Sequence, residues 1–143
     1  MVRLRSLLGG RAAEMVVFGV QTSGAAGDIQ QATSLARHMV CLYGMSEELG
    51  LMAAASISNE YLDGGAHLDC SNETASKVDA AVQRLLNACY EDAKRILLEN
   101  RALLDEIAEF LLAKETITGE ELMAYVNAGK EKKEEPSQEP AEE

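Results

Sequence analysis

The amino-acid sequence predicts an all-α fold, a helical bundle of four to five helices. Hydrophobic residues make up 47% of the 143 residues, whereas aromatic residues make up 4% and tryptophan is absent. The core must therefore come from alanine, leucine and methionine, which are good helix formers. Several segments also repeat their apolar residues with the 3.6-residue period of a helix. The length favours one domain.

Residues 2–18 form the first predicted helix. Its apolar side chains recur at helical spacing: Leu4, Leu7, Leu8, Met15 and Phe18. Gly9 and Gly10 lie in its middle, where each costs about 1 kcal/mol relative to alanine. We interpret them as positions of close packing against another helix, and a break in the helix is the alternative.

A loop of small residues, 19–27, separates this helix from a second one. The second helix is predicted from Asp28 to about Tyr43, and its apolar stripe is clear: Ile29, Ala32, Ala36, Met39, Val40 and Tyr43. Asp28 stands at its N-terminus, and Gly44 is placed to end it.

Residues 45–70 have no clear helical period. The stretch around 50–60 is either a short strand or hairpin or irregular, and the turn-rich "LDGGAHLD" predicts a mobile loop. The strongest periodicity follows at 71–98 and predicts a third helix with Ser71 as its N-cap. A further helix is predicted at about 101–114, with Asn100 at the corner between the two.

The last helix begins with a capping box. In "ITGEEL", Thr118 is the N-cap and Glu121 follows three residues later, a pattern that satisfies two free backbone N–H groups. Gly129 is expected to end this helix. Beyond it, residues 130–143 are rich in lysine, glutamate and proline, and we expect a disordered tail after a helical domain of residues 1–129.

Charge and composition exclude several classes of protein. The net charge of −11 argues against a nucleic-acid partner, because phosphates are bound by basic surfaces. No apolar run approaches the roughly 20 residues of a membrane span, and the N-terminus lacks the apolar region of a signal peptide. Cys41, Cys70 and Cys89 are odd in number and without C-x-x-C spacing, so reduced thiols in a cytoplasmic protein are expected.

The chain contains no complete set of catalytic residues. It has neither a P-loop nor a G-x-S-x-G motif, and neither His38 nor His67 begins an H-E-x-x-H. His38 lies one step off the apolar stripe of its helix, so a solvent-facing or half-buried side chain is expected. His67 falls in the turn-rich loop and is expected to be exposed.

The order of several short motifs resembles a known family. "LLGGRAAEMVVFG", "TSGAAGDIQQATSLARHMV", "YGMSEELG", "SNETASKVD" and "ETITGEEL" follow one another as in the peptidase domain of the FtsH family. These are membrane-anchored, ATP-dependent zinc metalloproteases. The resemblance covers roughly residues 4–128.

The resemblance implies a role for Asp28, whose position matches the family's third zinc ligand. The other two ligands and the catalytic glutamate come from an H-E-x-x-H helix, which this chain lacks. Glu14, in "GGRAAE", is polar within an apolar helix. It either lies beside the metal without binding it or simply pairs with Arg11.

The chain is therefore similar to the C-terminal part of a peptidase domain without the catalytic helix. The family's ATPase domain, which uses ATP and magnesium, and its membrane segments are expected to be absent from this chain too. By itself it is expected to be inactive and to bind no cofactor. In the complete family member, protein substrates, zinc and a homo-oligomer, a hexamer, are implied. The alternative is a stand-alone, non-catalytic helical module for interaction or oligomerisation.

Overall fold

The computed structural model describes residues 1–57 and 66–134. The all-α prediction is confirmed, since these residues form five helices: α1 (Val2–Phe18), α2 (Ala26–Cys41), α3 (Asn72–Glu99), α4 (Arg101–Lys114) and α5 (Gly119–Glu134). One short antiparallel ladder joins β1 (Ala55–Ile57) to β2 (Ala66–Leu68). The chain divides into two compact units, the first from Met1 to Arg95 and the second from Ile96 onward.

The core of the first unit is built largely from alanine. One cluster joins buried residues of α1, α2 and α3 to the residues at the start of β1, Ala54 and Ala55. Its fully buried members include Leu4, Ala32, Ala36, Val78 and Cys89. Because alanine extends no further than Cβ, helices that meet through it can approach closely.

Both ends of the loop between α1 and α2 depend on local backbone chemistry. Gly19 ends α1 in a left-handed conformation with φ 67°, and its N–H donates to Met15 O. Thr22 then begins a 3-10 turn over Ser23–Ala25, since its side chain accepts a hydrogen bond from Gly24 N–H. This turn leads directly into α2, which therefore begins at Ala26, two residues before the predicted start.

α2 ends at Cys41, two residues before the predicted end, and Gly44 follows in a left-handed conformation. Met45 N–H donates to Met39 O at 3.0 Å, and Gly44 has a φ of 61°. This hydrogen bond reaches back six residues, one more than the corresponding bond of a Schellman motif, and the left-handed glycine lies inside this wider turn.

The ends of the predicted apolar stripes are exposed. Ile29 is 36% exposed, Tyr43 59% and Phe18 73%, so these members of the predicted apolar stripes are not buried. All three lie at or near a helix end: Phe18 is the last residue of α1, Ile29 is in the first turn of α2 and Tyr43 follows α2. His38 is half-buried, as predicted.

The two central glycines of α1 do not break the helix. Close helix packing is also wrong for Gly9, because no heavy atom of the described chain lies within 4 Å of the position that its Cβ would take. At Gly10 the nearest such atom is Asp28 Oδ2, at 3.9 Å.

The short ladder falls partly in the stretch where a strand or hairpin was predicted. Ala55 pairs with Leu68 and Ser56 with His67. The backbone of His67 is therefore in a strand rather than in the predicted loop, because the ladder pairs it with β1. Residues 58–65, which hold half of the turn-rich segment, lie outside the described residues.

The second unit contains α4 and α5. The capping box is confirmed, since Glu121 N–H donates to Thr118 Oγ1 at 3.2 Å and Thr118 N–H donates to Glu121 Oε2 at 2.9 Å. The rings of Phe110 and Tyr125 meet edge to face, with centroids 5.6 Å apart. No residue of α4 is buried.

The predicted end of the last helix was wrong. α5 continues through Gly129 to Glu134. A Cβ at Gly129 would lie 3.4 Å from Leu103 Cδ2, so this glycine allows close approach to α4 rather than ending the helix. The backbone of 130–134 is thus helical, residues 135–143 lie outside the described residues, and disorder of the rest of the tail stays a prediction.

Within residues 1–57 and 66–134, no helix combines the length and the apolar character needed to cross a bilayer.

Candidate functional site

Asp28 lies in the first turn of α2. Free backbone N–H groups and the positive end of the helix dipole favour a carboxylate there. Its side chain is half-buried and forms no hydrogen bond or ion pair with another described residue. Its Oδ2 instead faces the backbone of Gly10 on α1. It lies 3.9 Å from the position that a Cβ would take if Gly10 carried one. The lone pairs of this carboxylate are therefore available to a ligand.

Glu14 lies one turn further along α1 than Gly10 and is fully engaged. Arg11 Nη1 donates to its Oε2 at 2.9 Å, and Thr22 N–H donates to the same oxygen at 3.3 Å. The Thr22 hydroxyl donates to Oε1. These two hydrogen bonds from Thr22, assisted by Arg11, hold the pKa of Glu14 below its usual value. The pairing with Arg11, one of the two alternatives for Glu14, is present, whereas a place beside the metal stays a prediction.

Thr22 connects this carboxylate to the start of α2. Its hydroxyl also accepts a hydrogen bond from Gly24 N–H at 3.1 Å, and its carbonyl accepts one from Arg11 Nη2 at 2.9 Å. Sequence reasoning missed Thr22. The T-x-G pattern was the available signal for a local turn, since Ser and Thr hydroxyls bond nearby backbone groups in turns, but the partner Glu14 lies eight residues away.

Gly24 completes this arrangement by leaving room for it. A Cβ at Gly24 would lie 3.3 Å from Thr22 Oγ1 and 3.5 Å from Glu14 Oε1. We call the set Arg11, Glu14, Thr22 and Gly24 the clasp, because it fastens the 3-10 turn before α2 to the side of α1.

The described residues do not form a complete zinc site. Catalytic zinc is held by three protein ligands and keeps a fourth position for water, but no group of three His, Cys, Asp or Glu side chains converges in residues 1–57 and 66–134. Asp28 offers a free carboxylate, whereas Glu14 is occupied by its partners. Cys41 and Cys89 are buried thiols whose pKa is raised by that burial.

Comparison with known proteins identifies the family. The model of peptidase family M41 matches residues 1–125. The chain belongs to peptidase family M41. The resemblance seen in the short motifs is thereby confirmed, and the matched region contains the clasp and Asp28.

Members of the family with a named activity are closely similar to this chain. The ATP-dependent zinc metalloprotease FtsH of Thermotoga maritima is 50% identical over 133 residues, which are 91% of this chain and 22% of that protein. The protein of the same name from Clostridium perfringens is 50% identical over 120 residues, 84% and 17%. That of Lancefieldella parvula is 50% identical over 117 residues, 82% and 18%. This chain thus spans about a fifth of the length of these three relatives.

Proposed function

We propose that this chain is the C-terminal part of the peptidase domain of an FtsH-like zinc metalloendopeptidase, and that Asp28 is the third zinc ligand. One observation carries the proposal. In a chain of family M41, a half-buried carboxylate at a helix N-terminus forms no hydrogen bond or ion pair with another described residue and faces a glycine of the neighbouring helix.

The chain's own residues would hold and orient that carboxylate. Zinc, when held by Asp28 and two histidines from an H-E-x-x-H segment, would lower the pKa of a water molecule for attack on a peptide bond. Asp28 is kept in place by α2, and Glu14 supports the turn that leads to it without binding the metal. Because the sequence has no H-E-x-x-H, this chain alone is proposed to be inactive and to bind no zinc.

The complete protein would be a membrane-anchored, ATP-dependent protease with protein substrates that assembles as a homo-hexamer. This part of it would lie on the cytoplasmic side and would contact neither nucleic acid nor lipid. The relatives' names support the protease and the ATP dependence.

The test is the substitution Asp28→Asn in two proteins. In this chain we expect the free energy of unfolding to change by less than about 1 kcal/mol, the scale of a helix-dipole interaction. In the longer gene product, with an H-E-x-x-H upstream, zinc content and peptidase activity should fall together, because a neutral amide is a poorer zinc ligand. Full zinc loading and activity of that variant would refute the assignment, as would DNA with stop codons directly upstream of a start signal at Met1.

A second candidate is a non-catalytic helical interaction module. The exposed apolar side chains of the second unit favour it, since Leu112 is 85% exposed and Met123 52%. Sedimentation of this chain over a range of concentrations tests it. If the chain self-associates and the substitution Leu112→Ser abolishes this association, the module is supported. If the chain is a monomer at every concentration, self-assembly is ruled out.

A further inference from the structure

We propose that Thr22 is a positioning residue, which acts through the clasp to set the place of the Asp28 carboxylate against α1. The proposal rests on the proposed function of Asp28 and extends it to residues that do not touch the metal. Thr22 would matter to zinc affinity through its hydroxyl, although it is no ligand itself.

The first support is the completeness of the clasp. Each polar group of Thr22 is used: the N–H and the hydroxyl donate to Glu14, the hydroxyl oxygen accepts from Gly24 N–H and the carbonyl accepts from Arg11. The Arg11 guanidinium bridges both partners, so its planar fork fixes their relative orientation. Two side chains of α1 thus hold Thr22 at three of its atoms, the backbone N, the backbone O and Oγ1.

The second support is burial. The side chains of Arg11 and Glu14 are only 15% and 19% exposed. Charge-assisted hydrogen bonds are stronger than neutral ones, and removing the Thr22 hydroxyl would leave Glu14 Oε1 without its donor. The lowered pKa of Glu14 agrees with a carboxylate that is stabilised by these donors.

The third support is the short path from Thr22 to Asp28. The 3-10 turn over Ser23–Ala25 and the first residues of α2 are continuous, so no unstructured residue separates the clasp from the ligand. A shift of Thr22 relative to α1 would therefore move Asp28 relative to Gly10. Groups that hydrogen-bond a metal ligand directly change metal affinity about 10- to 100-fold when removed. Thr22 acts on Asp28 through the backbone instead, so we expect an effect at or below the lower end of that range.

The first arm of the test uses this chain. Thr22→Val removes the hydroxyl at nearly constant shape, and Thr22→Ser keeps it. Thr33→Val is the matched control, because among the described residues the Thr33 hydroxyl bonds only the carbonyl of Ile29 in its own helix. By NMR we expect the nuclear Overhauser contacts between Gly10 Hα and Asp28 Hβ to weaken in Thr22→Val alone. Unchanged contacts in that variant would overturn the proposal.

The second arm measures zinc in the full gene product. Competition with a chelator gives the Zn²⁺ affinity, and the visible spectrum of the Co²⁺-substituted protein reports the ligand geometry. We expect Thr22→Val to weaken zinc binding by up to about tenfold and to change the cobalt spectrum, with Thr22→Ser and Thr33→Val like the wild type.

Two results would overturn the proposal in distinguishable ways. If Asp28→Asn loses zinc while Thr22→Val retains wild-type affinity and cobalt spectrum, the clasp does not position the ligand, although Asp28 is one. If Asp28→Asn also retains zinc, or if the gene encodes no H-E-x-x-H, the proposed function fails and the clasp proposal fails with it.

Discussion

Gly9→Ala should stabilise this chain. Glycine inside a helix costs about 0.8–1.0 kcal/mol relative to alanine, mainly because the unfolded chain is freer. Gly9 lies well inside α1, and a Cβ there would meet no heavy atom within 4 Å in the part of the chain that the structure describes. No steric term offsets the gain, so we expect about 0.5–1 kcal/mol of added stability.

Urea unfolding followed by circular dichroism measures the change. With a urea m-value of about 1–3 kcal/mol per molar, the expected gain moves the midpoint up by about 0.2–1 M. Gly44→Ala is the control with the opposite sign, because φ is 61° and a Cβ would lie 3.3 Å from Gly50 O. A left-handed alanine costs roughly 1–2 kcal/mol.

A lower midpoint for Gly9→Ala would refute the reasoning. Such a loss would mean that another segment or a second copy of the chain occupies the space beside Gly9 in solution. Gly9 would then be a close-packing position after all, and the element packed against it would be something other than the described helices.

Two further predictions concern the capping box and the clasp. Thr118→Ala should cost about 1 kcal/mol, the usual effect of losing a side-chain cap, and a denaturation midpoint equal to that of the wild type would contradict it. The pKa of Glu14 is lowered from 4.5, so the clasp should contribute stability above that pH and lose it as the pH falls through the lower, folded-state value. The amide chemical shift of Thr22 should follow this transition, and a shift that titrates equally in Glu14→Gln would rule out Glu14 as its cause.

Apolar periodicity was sufficient to predict the helices. The third and fourth helices were predicted at 71–98 and 101–114, and the structure has them at 72–99 and 101–114. Their stripes run over many turns, so a single misplaced residue matters little. The start of α2 was two residues off because the 3-10 turn before it depends on a hydroxyl, which periodicity does not register.

Predictions that depended on neighbouring elements were less accurate. Glycine is the residue type that commonly follows the end of a helix. At Gly129, however, Leu103 packs against the glycine and α5 continues past it. The pairing of Glu14 with Arg11 was predictable because the two lie three residues apart in one helix. The contact of Glu14 with Thr22 was not, because it requires the loop after α1 to fold back along that helix.

The alanine-rich core has a consequence for mutational mapping of the first unit. Among the described residues, the buried apolar set includes eight alanines: Ala12, Ala25, Ala32, Ala36, Ala54, Ala55, Ala81 and Ala93. An alanine scan cannot report on these positions, so it would give a misleading picture of a tolerant interior. Enlargement is the informative perturbation here, since an added methylene in a tightly packed interior costs typically about 1–3 kcal/mol. Alanine-to-valine or alanine-to-leucine scanning should therefore reveal sensitive sites that the usual survey would leave blank.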